Sequence, residues 1–177
     1  MKVTKTNLDG VLIIEPKVHG DPRGLFKEFY QAARYRQIGI DCKFVQDNYS
    51  RSKKGVLRGM HFQTSNPQGK LVSCFFGAVY DVILDVDPKS PNFGEYVGVE
   101  ISEENHRQIW VPPGYAHGFC VLSDYADFFY KCTTYYDPTD EGGVVWNDPD
   151  VAIKWPVERP LVSEKDALLG TLNELDI

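Results

Sequence analysis

The sequence has little of what marks several large classes of protein. Its four cysteines, Cys42, Cys74, Cys120 and Cys132, form no CxxC pair, so neither a zinc site nor a dense disulfide framework is predicted. We expect buried, reduced thiols in a cytoplasmic protein. No run approaches the roughly 18 apolar residues of a membrane span, and the opening MKVTKTNLDG lacks the apolar core of a secretory signal. We therefore predict no membrane partner.

Positive charge is also scarce. Asp and Glu number 25 against 19 Lys and Arg, which gives a formal net charge of −6. This balance argues against nucleic acid as a partner, and an anionic ligand would need a local basic pocket. The GxGxxG of dinucleotide-binding folds is absent. Gln68-Gly69-Lys70 lacks the strand–GxxxxGK–helix frame of a phosphate-binding loop.

Aromatic residues, by contrast, are abundant at 13% of the chain, as is typical of β-rich folds. Short alternating runs between Gly and Pro turns predict an antiparallel β-sandwich or barrel. The predicted strands cover residues 11–14, 25–30, 45–49, 56–63, 70–76, 78–86, 95–101, 108–111, 119–122 and 127–135. Helices are predicted at 31–38 and, opened by a capping box at Ser163, at about 163–173. The length fits a single domain over residues 1–177.

The most unusual stretch is QDNYSRSKKGVLRGMHFQ, which starts at Gln46 and ends at Gln63. Strand side chains alternate between two faces, so Gln46 and Asn48 would share one face and present two amides together. Residues 50–55 are predicted to form a polar, basic turn. The strand that follows carries the charged residues of interest.

In that following strand, 56–63, alternation places Arg58 on the face opposite His61 unless a bulge changes the register. His61 could be a core histidine with both ring nitrogens hydrogen-bonded, and Arg58 could be a surface residue with a buried stem. Both could instead belong to a functional site. Residues elsewhere in the chain decide between these two possibilities.

Two histidine-bearing motifs resemble those of cupins, which are jelly rolls. They are GMHFQ, which contains His61, and PPGYAHGF, which contains His117. A metal-binding cupin usually offers three His and a Glu. Here Gln63 stands where a second His of the first motif would be, so a metal site is not predicted.

A fuller resemblance extends from about residue 10 to 170, with its motifs in family order. The chain resembles the dTDP-4-dehydrorhamnose 3,5-epimerases, which are cupin-type enzymes without a metal. The motifs are GDPRG with FKEFY, QDNYSRSKKGVLRGMHFQ, QGKLV, SPNFGEYVGVEIS, PPGYAHGF, FFYKCTTYY, DEGGVVWNDP and SEKDALL. The resemblance implies a jelly-roll fold, a dTDP-sugar nucleotide as substrate, no cofactor and a homodimer.

The resemblance also implies roles for individual residues. His61 would be the catalytic base, oriented by Asp166, and Tyr130 would be the acid on the opposite side of the sugar. Lys70 and His117 would hold the 4-keto oxygen and neighbouring hydroxyls. The residues that would bind the rest of the substrate are Arg23, Glu28, Gln46, Asp47, Asn48, Arg58, Glu141 and Lys165.

Purely structural roles stay open for three of these residues at the level of sequence. Asp166 could be only the acid of the capping box, Tyr130 a core aromatic and Lys70 a charge at a strand edge. Ser73, Met60 and Phe62 depart from the family pattern and leave the fine substrate preference open. Alternative functions are inversion at C3 only or C5 only, a non-catalytic nucleotide-sugar-binding cupin, and a metal-dependent cupin oxygenase.

Overall fold

The computed structural model describes residues 1–175 and folds them mainly into antiparallel β-sheets. The strands are β1 (Lys2–Lys5), β2 (Leu12–Glu15), β3 (Val18–Asp21), β4 (Gly24–Lys27), β5 (Gln46–Lys53), β6 (Leu57–Gln63), β7 (Lys70–Phe76), β8 (Ala78–Asp85), β9 (Tyr96–Ser102), β10 (Gln108–Val111), β11 (Tyr115–Val121), β12 (Tyr125–Cys132) and β13 (Glu141–Gly143). Two short α-helices, α1 (Ala32–Arg36) and α2 (Glu164–Ala167), and a 3₁₀ turn (Leu172–Glu174) complete the secondary structure.

Two sheets form the body of the fold. One has the strand order β1-β2-β10-β7-β12-β5 and the other has the order β13-β6-β11-β8-β9, while β3 and β4 form a separate hairpin. Strands that are distant in sequence pair within each sheet, as in a jelly roll. The predicted fold class, a mainly β jelly-roll sandwich, is confirmed. Within residues 1–175, no helix is both long enough and apolar enough to cross a bilayer.

The core lies between the sheets because alternate strand residues point inward. Val72 of β7 and Phe128 of β12 meet Ile83 of β8 and Phe119 of β11 there. Helix α1 and its flanking residues cover part of the outer face of the six-stranded sheet, where Tyr35 is buried. The C-terminal segment covers the outer face of the other sheet. Polar side chains that point into this apolar interior are therefore exceptions.

Several predicted boundaries were wrong. Residues 50–55 were expected to form a turn, but β5 continues to Lys53 because its backbone pairs with β12. The strand predicted at 25–30 ends at Lys27, and α1 is shorter than the predicted 31–38. The predicted C-terminal helix is reduced to one turn at α2 followed by the 3₁₀ turn.

Candidate active site

A cavity of about 600 Å³ opens between the two sheets. His61 and Arg58 of β6 and His117 of β11 line it from the five-stranded sheet. Lys70 of β7 and Tyr130 of β12 line it from the six-stranded sheet. The side chains of both sheets that face the cavity are largely ionisable or hydrogen-bonding, which is typical of a site for a polar ligand.

His61, which is half-buried, pairs with the buried Asp166 on one wall of this cavity. The distance between His61 Nε2 and Asp166 Oδ1 is 2.9 Å, and the second carboxylate oxygen accepts a hydrogen bond from the Gly59 amide at 3.2 Å. Burial alone would raise the pKa of the Asp166 carboxyl, but the bonds from His61 and Gly59 outweigh it, so the pKa lies below its ordinary value. The pair fixes a histidine proton on Nε2 and leaves Nδ1 to accept one.

The position of Asp166 follows from the local sequence. Ser163 begins α2, and its hydroxyl accepts a hydrogen bond from the Asp166 amide at 3.1 Å, as an N-cap residue does. The Asp166 carboxylate does not close a capping box, because it points to His61 instead. A capping role therefore accounts for the backbone of Asp166 but not for its side chain.

Tyr130 lies on the wall that faces His61. It is on β12, between Asn48 of β5 and Val72 of β7. Burial raises the pKa of the Tyr130 phenol to about 12, so its proton stays in place at neutral pH. A protonated phenol and an imidazole thus belong to opposite sheets, with the cavity between them.

Lys70 and His117 line the same cavity. Burial lowers the pKa of the Lys70 ammonium, while the charges of Cys132 and Asp81 act in the opposite direction. His117 is buried, lies directly across from His61 in the strand pairing, and bonds through Nε2 to Asp81 Oδ2 at 2.9 Å. Lys70 is not a charge at a strand edge, because β7 is an interior strand of its sheet.

Arg58 shares the cavity with His61, so the prediction that they occupy opposite faces of β6 was wrong. The reason is a bulge. His61 pairs with His117 and Arg58 with Phe119, so three steps along β6 match two steps along β11. Arg58 Nε donates to Ser52 Oγ at 3.2 Å, which leaves both terminal guanidinium nitrogens available to a ligand.

The amides of Gln46 and Asn48 share the cavity face of β5 as predicted. Gln46 Nε2 donates to Asn48 Oδ1 at 3.0 Å, and Gln46 Oε1 accepts from the Tyr136 amide at 2.9 Å. Sequence reasoning missed Tyr136, whose ring also lines the cavity. The signal was present as the last residue of FFYKCTTYY, but Tyr135 beside it does not line the cavity, and nothing in the sequence separates the two tyrosines.

Glu141 and Lys165 form an ion pair at the rim of the cavity. Glu141 also accepts a hydrogen bond from the Tyr136 hydroxyl at 3.1 Å and approaches His61 Nδ1 to 3.8 Å. Lys165 reaches the site only through this pair, because it does not itself line the cavity.

Three residues predicted to bind substrate lie away from the cavity of this chain. Arg23 is exposed on the β3–β4 hairpin and pairs with Asp21, and Glu28 pairs with Arg34 of α1. Asp47 points to the other face of β5, because it alternates with Gln46 and Asn48, and it pairs with Lys131. Placing Asp47 with its two neighbours overlooked this alternation.

The side chain of Gln63 has a structural role at the position where a metal-binding cupin carries a histidine. Its amide nitrogen donates to the Asn66 carbonyl at 2.8 Å, and its oxygen accepts from the Asp137 amide at 2.9 Å. Among residues 1–175, no three His, Cys, Asp or Glu side chains are grouped so that they could hold a metal ion.

Known proteins with similar sequences support the interpretation of this cavity as an active site. The sequence model of the family described as dTDP-4-dehydrorhamnose 3,5-epimerase matches residues 5–174. The enzyme of that name from Salmonella typhimurium is 52% identical over 98% of this chain and 97% of its own length. A Streptomyces niveus relative named dTDP-4-dehydrorhamnose 3-epimerase is 39% identical over 96% of this chain and 84% of its own.

A solved structure from Legionella pneumophila, a dTDP-6-deoxy-D-glucose-3,5-epimerase in complex with dTDP-4-keto-L-rhamnose, superposes with a TM-score of 0.96. It is 52% identical, and the match covers 99% of this chain and 94% of that one. The jelly roll, the cavity between its sheets and the sequence match along almost the whole chain lead to one conclusion: this chain belongs to the dTDP-4-dehydrorhamnose 3,5-epimerase family.

Proposed function

We propose that the chain inverts C3 and C5 of dTDP-4-dehydro-6-deoxy-D-glucose and so forms dTDP-4-dehydro-L-rhamnose. The observation that carries this proposal is the opposition of His61, paired with Asp166, and Tyr130 across one cavity. Inversion at a carbon needs proton removal from one face and proton return to the other. Two groups on facing walls meet that need.

The chemistry starts from the 4-ketone, which acidifies the hydrogens on both neighbouring carbons. Nδ1 of His61 removes one of them, and Asp166 stabilises the imidazolium that results. The negative charge moves to the ketone oxygen, where the Lys70 ammonium stabilises the enolate. Tyr130 then donates its proton to the opposite face of the same carbon. Proton exchange with solvent resets both groups before the second carbon reacts.

The remaining polar groups suit the nucleotide diphosphate. Arg58 bonds to Ser52 through Nε, and its two terminal guanidinium nitrogens form a fork that matches a pair of phosphate oxygens. Gln46 and Asn48 present amides beside it, and the Tyr136 ring offers a flat surface to a base. Lys165 neutralises Glu141, which would otherwise repel the diphosphate.

Inversion at both carbons is favoured over inversion at one. The relatives that are 52% identical carry the 3,5-epimerase name, whereas a relative named a 3-epimerase is less similar. The test is incubation of the purified protein with the 4-keto sugar nucleotide in D₂O, followed by NMR of the product. Deuterium and inversion at both C3 and C5 are expected. Inversion at one carbon alone would favour a single-centre epimerase, and no exchange at either would favour a non-catalytic binding protein.

Activity is expected to survive exhaustive chelation, because Gln63 is engaged by the backbone at the position of a metal-binding histidine. The measurement is the rate of C3 and C5 exchange before and after treatment with a strong chelator, with buffer-treated enzyme as control. Loss of activity that one divalent metal restores would favour a metal-dependent cupin and contradict this mechanism.

Replacing Arg58 by Ala should raise KM roughly 10- to 100-fold, because hydrogen bonds to charged groups contribute roughly 1.5–3 kcal/mol. Free dTDP should compete with substrate in the unmodified protein and bind weakly to the variant. Part of kcat is also expected to be lost, since binding energy at the diphosphate helps to position the ring.

The matched control for Arg58 is Arg51→Ala, which removes the same charge from the outer face of β5, where Arg51 pairs with Asp127. An unchanged KM in Arg58→Ala, or an equal rise in Arg51→Ala, would mean that Arg58 does not bind the diphosphate.

The active form of the protein is proposed to be a homodimer of single-domain chains, located in the cytoplasm. Leu25 and Phe26 are exposed on the β3–β4 hairpin, and Phe75 and Phe76 are exposed at the end of β7. Apolar surface of this kind is typical of an interface. Arg23 on the same hairpin is distant from its own cavity, so its predicted role in binding substrate requires the cavity of a second copy. Sedimentation of the purified protein distinguishes a dimer from a monomer.

A further inference from the structure

Asp81 is a buried carboxylate that the mechanism above leaves without a role. It lies on β8 with its side chain in the interior, between the core residues Val79 and Ile83, and it is completely inaccessible to solvent. Burying a carboxylate in such surroundings is costly unless hydrogen bonds or charges compensate. A carboxylate buried between two apolar core residues therefore requires a physical reason.

Only one oxygen of Asp81 has a partner in the described part of the chain. Oδ2 lies 2.9 Å from His117 Nε2, whereas Oδ1 makes no hydrogen bond. A carboxylate can only accept, so this contact keeps the His117 proton on Nε2. His117 Nδ1 then carries a lone pair at the cavity wall, where it can accept a hydrogen bond from a sugar hydroxyl.

Lys70 lines the same cavity as His117, and its charge interacts electrostatically with that of Asp81. Burial lowers the pKa of Lys70, and the negative charge of Asp81 opposes that change. Burial raises the pKa of Asp81, while His117 and Lys70 oppose that change in turn. The three groups come from both sheets. The other titratable or charged side chains that line the cavity with Lys70 or act on its charge are Cys132, Tyr49, Tyr130, Tyr136, His61, Arg58, Glu141 and Asp166.

We propose that Asp81 is a positioning residue that keeps Lys70 charged and His117 protonated on Nε2, so that the cavity can stabilise an enolate. This inference rests on the proposed function of the site. An uncharged amine at Lys70 would still donate a hydrogen bond, but it would lose the charge that stabilises the enolate oxygen. Asp81 touches no substrate atom and acts through its two neighbours.

The test uses Asp81→Asn, which keeps the shape and an acceptor for His117 but removes the charge. The negative charge of Asp81 opposes the effect of burial on the Lys70 pKa, so Lys70 should lose its proton at lower pH in the variant. Among the groups that must stay protonated, Lys70 has a pKa below its ordinary value whereas that of Tyr130 is about 12. The alkaline limb of kcat/KM should therefore move down by about one pH unit.

Asp85→Asn is the matched control. Asp85 is a second buried carboxylate on the same face of β8, but it bonds to Ser90 at the far end of the strand. The Asp85→Asn variant should leave the alkaline limb of kcat/KM at the same pH as in the unmodified protein. An unshifted limb in an active Asp81→Asn enzyme, or an equal shift in Asp85→Asn, would overturn the role given to Asp81 while the proposed epimerisation stands.

A second measurement needs neither substrate nor a variant. Nitrogen-15 NMR of the unmodified protein should show His117 protonated on Nε2 and not on Nδ1 at neutral pH, and Lys70 as an ammonium. A proton on Nδ1 of His117, or a neutral Lys70, would refute the proposal. Because this readout does not depend on turnover, it separates failure of the Asp81 proposal from failure of the proposed function.

Discussion

In the His61→Ala variant, exchange of solvent deuterium into both C3 and C5 is expected to fall by ~10²–10⁴-fold, the usual contribution of a general base. Both carbons should be affected together, because the proposed mechanism assigns both proton removals to His61, which has the Asp166 partner that stabilises an imidazolium. His117, which bonds through Nε2 to Asp81, is assigned to hold a sugar hydroxyl through Nδ1. The measurement is NMR of exchange at each carbon, with substrate at saturating concentration.

His106→Asn is a suitable control for His61. His106 lies outside the cavity near Lys27 and has a positive φ that asparagine tolerates, so exchange should be unchanged. A His61→Ala enzyme that exchanges either carbon at a near-normal rate would show that a second base exists. An equal loss in both variants would point to damaged folding instead of lost chemistry.

Much of the fold was predictable because the signals are local. Short apolar runs between turn signals place β7 correctly at 70–76 and β10 correctly at 108–111. Predicted strand boundaries were wrong where pairing with a neighbouring strand determines how far a strand extends. The polar run at 50–53 is a strand only because β12 lies beside it and satisfies its backbone, and a sequence does not state which strands will be neighbours.

The candidate site was predictable from motifs, but its geometry was not. Alternation alone puts Arg58 and His61 on opposite faces, and the bulge that unites them is visible only in the pairing of β6 with β11. Asp81 had a sequence signal, because it is a charged residue between the apolar Val79 and Ile83 on one face of the strand. Its partner His117 lies 36 residues away, so the pair appears only once β8 and β11 are adjacent.

Tyr130 allows proton removal and proton return to be separated, because it stands on the wall opposite His61. Tyr130→Phe keeps the ring and its packing but removes the phenolic proton. His61 should still form the enolate and return deuterium to the face from which it took hydrogen. Exchange should therefore persist in part, while inversion falls by ~10²–10⁴-fold.

The ratio of exchange to inversion is the quantity that identifies Tyr130 as a separate acid, and it should rise in Tyr130→Phe. Tyr115→Phe is the matched control, because burial also raises the pKa of Tyr115 to about 12, yet its hydroxyl bonds to the Asp9 carbonyl outside the cavity. The ratio should be unchanged in that control. Water entering the cavity could replace the phenol in part and would reduce the rise without reversing it. A Tyr130→Phe enzyme that loses exchange and inversion in equal proportion would mean that Tyr130 serves enolate formation itself, and the acid on the second face would have to be sought among the other groups of the six-stranded sheet.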